Sequence, residues 1–129
     1  HGSDETKGFQ YMANYILDSN GEPQLEDDPL KWAMWFEAAG DLRRVAHDAF
    51  DGVIVSTVFL GIDHSCSEAW PPILWETMIF GGPQDNYQRR YTSRCDAIVG
   101  HMEVVQLVLH TWRAAFDCVL HTMLRWFIR

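Results

Sequence analysis

The hydrophobic pattern of the chain predicts two helices. Asp28 is a suitable N-cap, Pro29 fits the first helical position, and the apolar run that follows them stops at Gly40. A longer helix is predicted from about residue 93 to residue 129, because no proline interrupts that stretch. Gly100 lies within it and costs only about 1 kcal/mol relative to alanine, so it does not end the helix.

Two runs rich in β-branched residues predict strands at residues 53–62 and 73–80. Asp51-Gly52 precedes the first run and is a strong hairpin-turn signal. If it forms that turn, residues 44–49 are the partner strand, although residues 43–50 taken alone are ambiguous between helix and strand. Both long strands are apolar at nearly every position. Each should therefore be covered on both faces, or by helices on one face and by a partner on the other.

The remaining segments predict a short strand at residues 15–17 and a loop at residues 63–72. The opening His-Gly-Ser, without a methionine, indicates the remnant of a purification tag. Residues 1–11 are therefore treated as a tag or disordered lead, and residues 12–129 as one domain.

The predicted fold class is α+β, with a small antiparallel sheet of three to four strands packed by the N-terminal helix and the long C-terminal helix.

The polar side chains of the last helix form one narrow stripe, because they recur every three or four residues. The stripe contains Glu103, Gln106, His110, Arg113, Asp117, His121 and Arg125. Almost all other positions are apolar, and the largest side chains among them include Trp112, Phe116, Leu120, Met123 and Phe127. Burying one such side chain stabilises by roughly 1.5–3 kcal/mol, so we expect a second copy of the chain to cover them in a homo-oligomer.

A membrane-spanning helix is the rival interpretation of this stretch, and a tail that is foreign to the fold is another. Arg113 and Asp117 would lie near the middle of a membrane span, where each costs roughly 2.5–3.5 kcal/mol on insertion scales. We therefore expect a soluble oligomer without membrane association.

The composition of the chain narrows the range of partners. Its 129 residues are 47% hydrophobic and 22% charged, which is typical of a globular domain. A net charge of −8 without a basic patch argues against nucleic acid as a partner. The three cysteines lie far apart without a CxxC pair, which indicates neither a zinc site nor a disulfide framework. A cytoplasmic location without a cofactor is expected.

The best candidate for chemistry is a set of carboxylates and histidines near the strand ends and on the last helix. It consists of Asp63, His64, Glu76 and His101. If these side chains converge, they are suited to metal binding or to acid–base catalysis. The alternative is a solvated loop for the first two and a bond from His101 to a nearby carbonyl.

Glu76 lies between apolar neighbours and needs a cationic partner unless it does chemistry. The candidate partners are Arg43, Arg44, Arg89 and Arg90. A structural ion pair is the favoured interpretation.

Aromatic residues of the first helix and of the second long strand form another candidate set. They are Trp32, Trp35, Phe36 and Trp75. Such rings belong to a core more often than to a ligand cage. If a small apolar ligand binds, its pocket is expected between the first helix and the sheet.

Three segments carry a resemblance to a known family. Residues 55–64 contain STVFLGxDH, residues 71–82 contain PPxLxETMxFGG, and residues 90–101 contain RYxxxxxAxxGH. In this order they resemble small uncharacterised proteins of bacteriophages, prophages and other mobile bacterial DNA. The resemblance covers about residues 12–109 and implies a mobile-DNA context but no activity. Members of that family tend to end near the equivalent of Leu109, so residues 111–129 look like an addition.

These observations favour a non-enzymatic binding or interaction protein encoded on mobile DNA. The alternative is a small metal-binding protein or enzyme that uses Asp63, His64, Glu76 and His101. The two hypotheses differ in whether the four side chains converge in the fold.

Overall fold

A computed structural model of the protein describes residues 12–65 and 70–128. The predicted lead at residues 1–11, the middle of the predicted loop with Cys66, and Arg129 lie outside the described residues. Along the chain the elements are β1 (Tyr15–Leu17), β2 (Pro23–Leu25), α1 (Pro29–Ala39), a 3-10 turn (Gly40–Arg43), β3 (Arg44–Phe50), β4 (Val53–Phe59), β5 (Trp75–Phe80), β6 (Gln88–Tyr91) and α2 (Arg94–Phe127).

Strands β3, β4, β5 and β6 form a four-stranded antiparallel sheet in that order, and β1 pairs with β2 in a separate hairpin. With the two helices this architecture confirms the predicted α+β class. The ambiguous segment after α1 is strand β3, and Asp51 and Gly52 form its turn to β4, with φ of 50° and 78°. Positive φ at both central residues matches the right-handed twist of a hairpin.

Both helices begin as their sequences predict. The Asp28 carboxylate accepts hydrogen bonds from the backbone N–H groups of Leu30 and Lys31, and α1 ends at Ala39 before Gly40. At the start of α2, Ser93 Oγ accepts from the backbone N–H of Asp96 at 3.0 Å. These bonds satisfy donors that the first turn of a helix leaves free.

The strand boundaries differ from the prediction in ways that have local causes. β4 ends at Phe59, because Gly61 adopts a φ of +76° and lets the chain turn against the rings of Trp32 and Phe36. β5 begins at Trp75, two residues later than predicted. The sequence pattern also misses β6, whose residues are mainly polar because it is an edge strand.

The two faces of the four-stranded sheet differ in what covers them. Helix α2 lies on one face and runs from the end near Tyr91 towards the turn at Asp51-Gly52. Near that turn its residues Val104 and Val108 pack with the sheet residues Val53, Val55 and Ile79. At the other end Ala97 packs with Phe59, Leu74, Trp75 and Tyr91.

The opposite face of the sheet, which we call the open face, carries the alternate residues of the same strands. Cross-strand pairs place Ile54 beside Phe80, Ser56 beside Met78, and Val58 beside Glu76. Among the described residues, no helix packs on this face to a comparable extent, since the contacts of α1 are with β1 and the 3-10 turn. The predicted need for a cover on both faces is therefore met on one face by α2.

Helix α2 continues past the end of the sheet. Near that end the ring of Trp112 meets Phe50 edge-on at 5.5 Å, and Gln84 Nε2 donates to Thr111 Oγ1 at 2.6 Å. Trp112, which was expected between two copies, is thus half-buried on its own sheet. Every residue from 113 to 127 is exposed, and we call this segment the tail. At a rise of 1.5 Å per residue the tail is about 22 Å long.

No helix in the described part of the chain has both the length and the apolar character that crossing a bilayer requires.

The contact between Tyr91 and Gly100 yields a stability prediction. A Cβ atom on Gly100 would collide with the ring of Tyr91, which is buried. Gly100→Ala should therefore lower the free energy of unfolding by about 1–3 kcal/mol through overpacking, although alanine is the better helix former by about 1 kcal/mol. In a Tyr91→Val background the ring is absent, so Gly100→Ala should instead raise the free energy of unfolding. Urea unfolding of the original protein, the two single variants and the double variant measures both effects, and a stabilised single Gly100→Ala variant would contradict this packing.

Candidate functional site

Asp63 and His64 tie a loop to the start of β5. The Asp63 carboxylate accepts hydrogen bonds from the backbone N–H groups of Ser65, at 2.9 Å, and Ile73, at 3.0 Å. The backbone N–H of His64 donates to the carbonyl of Ile73 at 3.0 Å. These bonds pin the described part of the loop, which is a structural role for the Asp63 carboxylate.

Glu76 lies on the open face, in a hydrogen-bonded ion pair. Its Oε2 accepts from Arg90 Nε at 2.9 Å and from the Gln88 side-chain amide. Arg90 is one of the four arginines that the sequence offered as partners. The charge of the nearly buried carboxylate is thus compensated across the β5–β6 pair.

His101 lies on the opposite side of the sheet from Glu76. It faces Thr57, whose cross-strand partner is Thr77, whereas Glu76 projects to the open face one residue earlier on β5. Within the described residues, no group of three or more histidine, cysteine, aspartate or glutamate side chains could hold a metal ion. The structure therefore distributes the four predicted residues over separate hydrogen-bond networks.

His101 belongs to a chain of hydrogen bonds beneath α2, which we call the polar relay. The relay runs from Asp48 through His101, Thr57 and Thr77 to Tyr91. His101 Nε2 lies 2.6 Å from Asp48 Oδ2, and Nδ1 lies 2.7 Å from Thr57 Oγ1. The two threonine hydroxyls are 2.6 Å apart, and the Tyr91 hydroxyl donates to Thr77 at 2.9 Å. The relay links β3, β4, β5, β6 and α2 through side chains alone.

Counting donors and acceptors assigns a direction to the relay. An ionised Asp48 only accepts, so His101 donates from Nε2 and accepts at Nδ1 from the Thr57 hydroxyl. Thr57 then accepts from Thr77, and Thr77 accepts from Tyr91. A second proton on His101 would reverse the bonds at both threonines, and the Thr77 proton would need a new acceptor. The neutral imidazole with its proton on Nε2 is the form that satisfies each member.

Asp48, His101 and Thr57 are the residue types of a hydrolytic triad, but their burial assigns them a structural role. Thr57 is 0% exposed, so a substrate carbonyl has no path to its hydroxyl. Asp48, at 53% side-chain exposure, is where the relay reaches the surface. In the described part of the protein, every buried side-chain nitrogen and oxygen has a hydrogen-bond partner. The relay thus resembles a satisfied polar core.

Burial raises the pKa of Tyr91 above its ordinary value of 10.0, although the bond to Thr77 and the nearby Arg89 oppose this effect. The phenol therefore keeps its proton at neutral pH and remains the donor at the start of the relay.

Of the relay, the sequence reasoning identified only His101 as a candidate. Two threonines within otherwise apolar strands are one signal, because each buried hydroxyl needs a partner. A second signal is the spacing of Ala97, Gly100 and His101, which places three buried residues on one face of α2. Asp48 gives no comparable signal, since it lies among mixed residues of an edge strand.

The aromatic candidates fill the space between α1 and the end of the sheet. Trp32 Nε1 donates to the carbonyls of Gly61 and Tyr15, at 2.9 and 3.2 Å, and its ring lies 4.9 Å from that of Phe36. Trp35 meets Phe59 edge-on, and Phe59 meets Trp75. The guanidinium of Arg43 stacks on Phe36 at 3.7 Å. The candidate rings thus belong to two packed groups, in which Trp75 is buried and the three rings of α1 are half-buried.

Thr57→Val tests the relay, because it removes the hydroxyl that joins Thr77 to His101 while keeping the shape of the side chain. We expect the free energy of unfolding to fall by about 1–3 kcal/mol, since two buried polar groups lose their partner. Ser56→Ala, which removes a hydroxyl from the open face, is the control and should change it by less than about 0.5 kcal/mol. Equal effects of the two substitutions in chemical denaturation would count against the relay.

The Tyr91 phenol should titrate above pH 10.0 in the folded protein. Because the folded state then binds this proton more tightly than the unfolded state, stability should be lost as the pH rises from 10.0 through the folded pKa. The phenolate absorbance of the protein minus that of Tyr91→Phe isolates this titration. A midpoint below 10.0 would contradict the burial of the phenol.

Comparison with known proteins finds no family, no curated protein and no solved structure that matches this chain. The mobile-DNA resemblance therefore stays a prediction. What the chain does must be inferred from the surfaces and contacts described above.

Proposed function

We propose that this protein is an interaction protein that associates with a second copy of itself through the tail. The observation that carries this proposal is a helix segment that is apolar yet exposed from residue 113 to residue 127. Phe116 is 67% exposed and Trp126 is 83% exposed. Contiguous apolar surface of this kind is characteristic of interfaces between proteins.

The spacing of the large side chains supports a helix that is covered along one side. Phe116, Leu120, Met123 and Phe127 follow one another at steps of four, three and four residues, which form a continuous strip along a helix. Arg113 and Asp117 lie on the stripe of polar residues that leaves this strip free. The strip is thus suited to contact with another apolar surface, while the polar stripe stays in water.

Burial of these side chains supplies enough free energy for stable association. At roughly 1.5–3 kcal/mol for each large apolar side chain, the four from each of two copies contribute roughly 12–24 kcal/mol. Association costs roughly 4–15 kcal/mol in lost translational and rotational freedom. The midpoints of these ranges differ by about 8 kcal/mol, which corresponds to a dissociation constant of about 1 μM.

We place this association in the cytoplasm of a cell that carries mobile DNA. Two observations support that setting: the resemblance of three sequence segments to mobile-DNA proteins, and the free, exposed thiols of Cys95 and Cys118. Exposed thiols persist in a reducing compartment. The genes beside this one test the mobile-DNA context, since phage or prophage neighbours are expected.

Sedimentation equilibrium of the full chain tests self-association. We expect a dimer. Phe116→Glu with Leu120→Glu should raise its dissociation constant at least about 100-fold, because two carboxylates would replace two large apolar side chains in the interface. Both residues are exposed in the single copy, so the fold should persist.

His110→Glu with His121→Glu is the matched control, since it adds two carboxylates to the polar stripe of the same helix. It should leave the dissociation constant within about threefold of the original protein, as expected for exposed positions. A monomeric original protein at every concentration, or equal losses in the two double variants, would overturn the proposal.

A further inference from the structure

We infer that the tail of each copy lies on the open face of the other copy's sheet. This inference rests on the proposed self-association and specifies where the tail docks. It joins two observations made on the described residues: an apolar helix segment that is exposed along its length, and an apolar strip of the sheet on which neither described helix packs.

The open face carries apolar side chains of the kind that proteins normally cover. The exposed face of an antiparallel sheet is normally polar. Here the two central strands place four apolar side chains on it, while Ser56 and the edge strands add polar ones. The apolar residues are Ile54, Val58, Met78 and Phe80, and the polar residues of the edge strands are Arg44, His47, Gln88 and Arg90. Ile54 is 36% exposed and Phe80 is 45% exposed. The charges of Glu76 and Arg90 on the same face already neutralise each other. A helix can therefore pack there without leaving an unpaired charge.

The tail cannot reach the open face of its own sheet. Helix α2 packs on the opposite face and continues without a break from Arg94 to Phe127. It leaves the sheet beyond the Asp51-Gly52 turn, near Phe50. The tail of a second copy is not constrained in this way and can approach the open face.

The two surfaces have matching lengths. The tail is about 22 Å long at 1.5 Å per residue. Strand β4 has seven residues, which span about 23 Å at 3.3 Å per residue. One tail therefore covers one strand length of the open face.

A single twofold axis satisfies both copies at once. Each tail extends beyond its own sheet and packs with its apolar strip on the open face of the partner's sheet. Because each copy contributes one tail and one face, the contact occurs twice and the assembly closes as a dimer.

The reciprocal arrangement also buries more area than the pairing of two tails. A helix footprint about 22 Å long and about 10 Å wide, counted on both surfaces of two contacts, gives roughly 900 Å² of projected area. Interfaces that bury less than roughly 1,200 Å² belong to the weaker specific complexes, so this area fits a dimer of moderate affinity. Two paired tails form one such contact, which is half as large, and they leave both open faces uncovered.

Mixing two full-length variants tests this arrangement. The face variant carries Ile54→Lys and Phe80→Lys, and the tail variant carries Phe116→Glu and Leu120→Glu. Each alone should be monomeric in sedimentation, because every contact would contain one altered surface. Their equimolar mixture should form a heterodimer, since one contact remains intact and the other brings lysine near glutamate.

A tail variant with Phe116→Lys and Leu120→Lys is the matched partner for the same mixing experiment. Its heterodimer with the face variant should be at least about tenfold weaker than that of the glutamate form, because lysines would then meet lysines. Met34→Glu with Leu42→Glu, at exposed apolar positions of α1 and of the 3-10 turn, should leave the original dimer unchanged.

Two results would overturn the inference. If the face variant alone remains a dimer while the tail variant is a monomer, the tails pair with each other, and the proposed self-association stands without this docking site. If the original protein is a monomer, both proposals fail together. A heterodimer that depends on the sign of the tail charges supports the docking of tail on face.

Discussion

The packing of α2 on one face of the four-stranded sheet is the contact on which the rest of the structure depends. The ring of Tyr91 lies directly on Gly100, where any larger residue would collide with it. Beside this contact the polar relay connects the helix to strands β3 to β6 through His101. Together they determine the line along which α2 crosses the sheet, and therefore the direction in which the tail leaves it.

The buried polar residues under α2 have a structural role, whereas the exposed apolar surfaces are the candidates for an interaction. A buried hydroxyl or imidazole without a hydrogen-bond partner costs free energy. Thr57, Thr77 and His101 therefore bond to one another, and the relay satisfies their hydrogen-bonding groups. Glu76 is likewise occupied by Arg90. The apolar tail and the open face have no comparable partner among the described residues of one chain. Self-association gives both surfaces a partner.

Local signals were sufficient to predict the helices and the hairpin, because caps and turns act over a few residues. Asp28 and Ser93 mark the two helix starts, and Asp51-Gly52 marks the turn. Whether the candidate site residues converge could not be predicted from such local signals. Whether Glu76 and His101 meet depends on strand register, since a shift of one residue moves a side chain to the other face. The register depends on the pairing of all strands in the sheet, so it cannot be read from a single sequence motif.

The most direct measurement of how the two surfaces meet is an intermolecular contact observed in solution. Nuclear Overhauser effects in a mixture of isotope-labelled and unlabelled protein report only contacts between copies. We expect them between methyl protons of Ile54 and Met78 in one copy and aromatic protons of Phe116 and Phe127 in the other. Intermolecular contacts confined to pairs of tail residues, with none to the sheet, would contradict the reciprocal dimer.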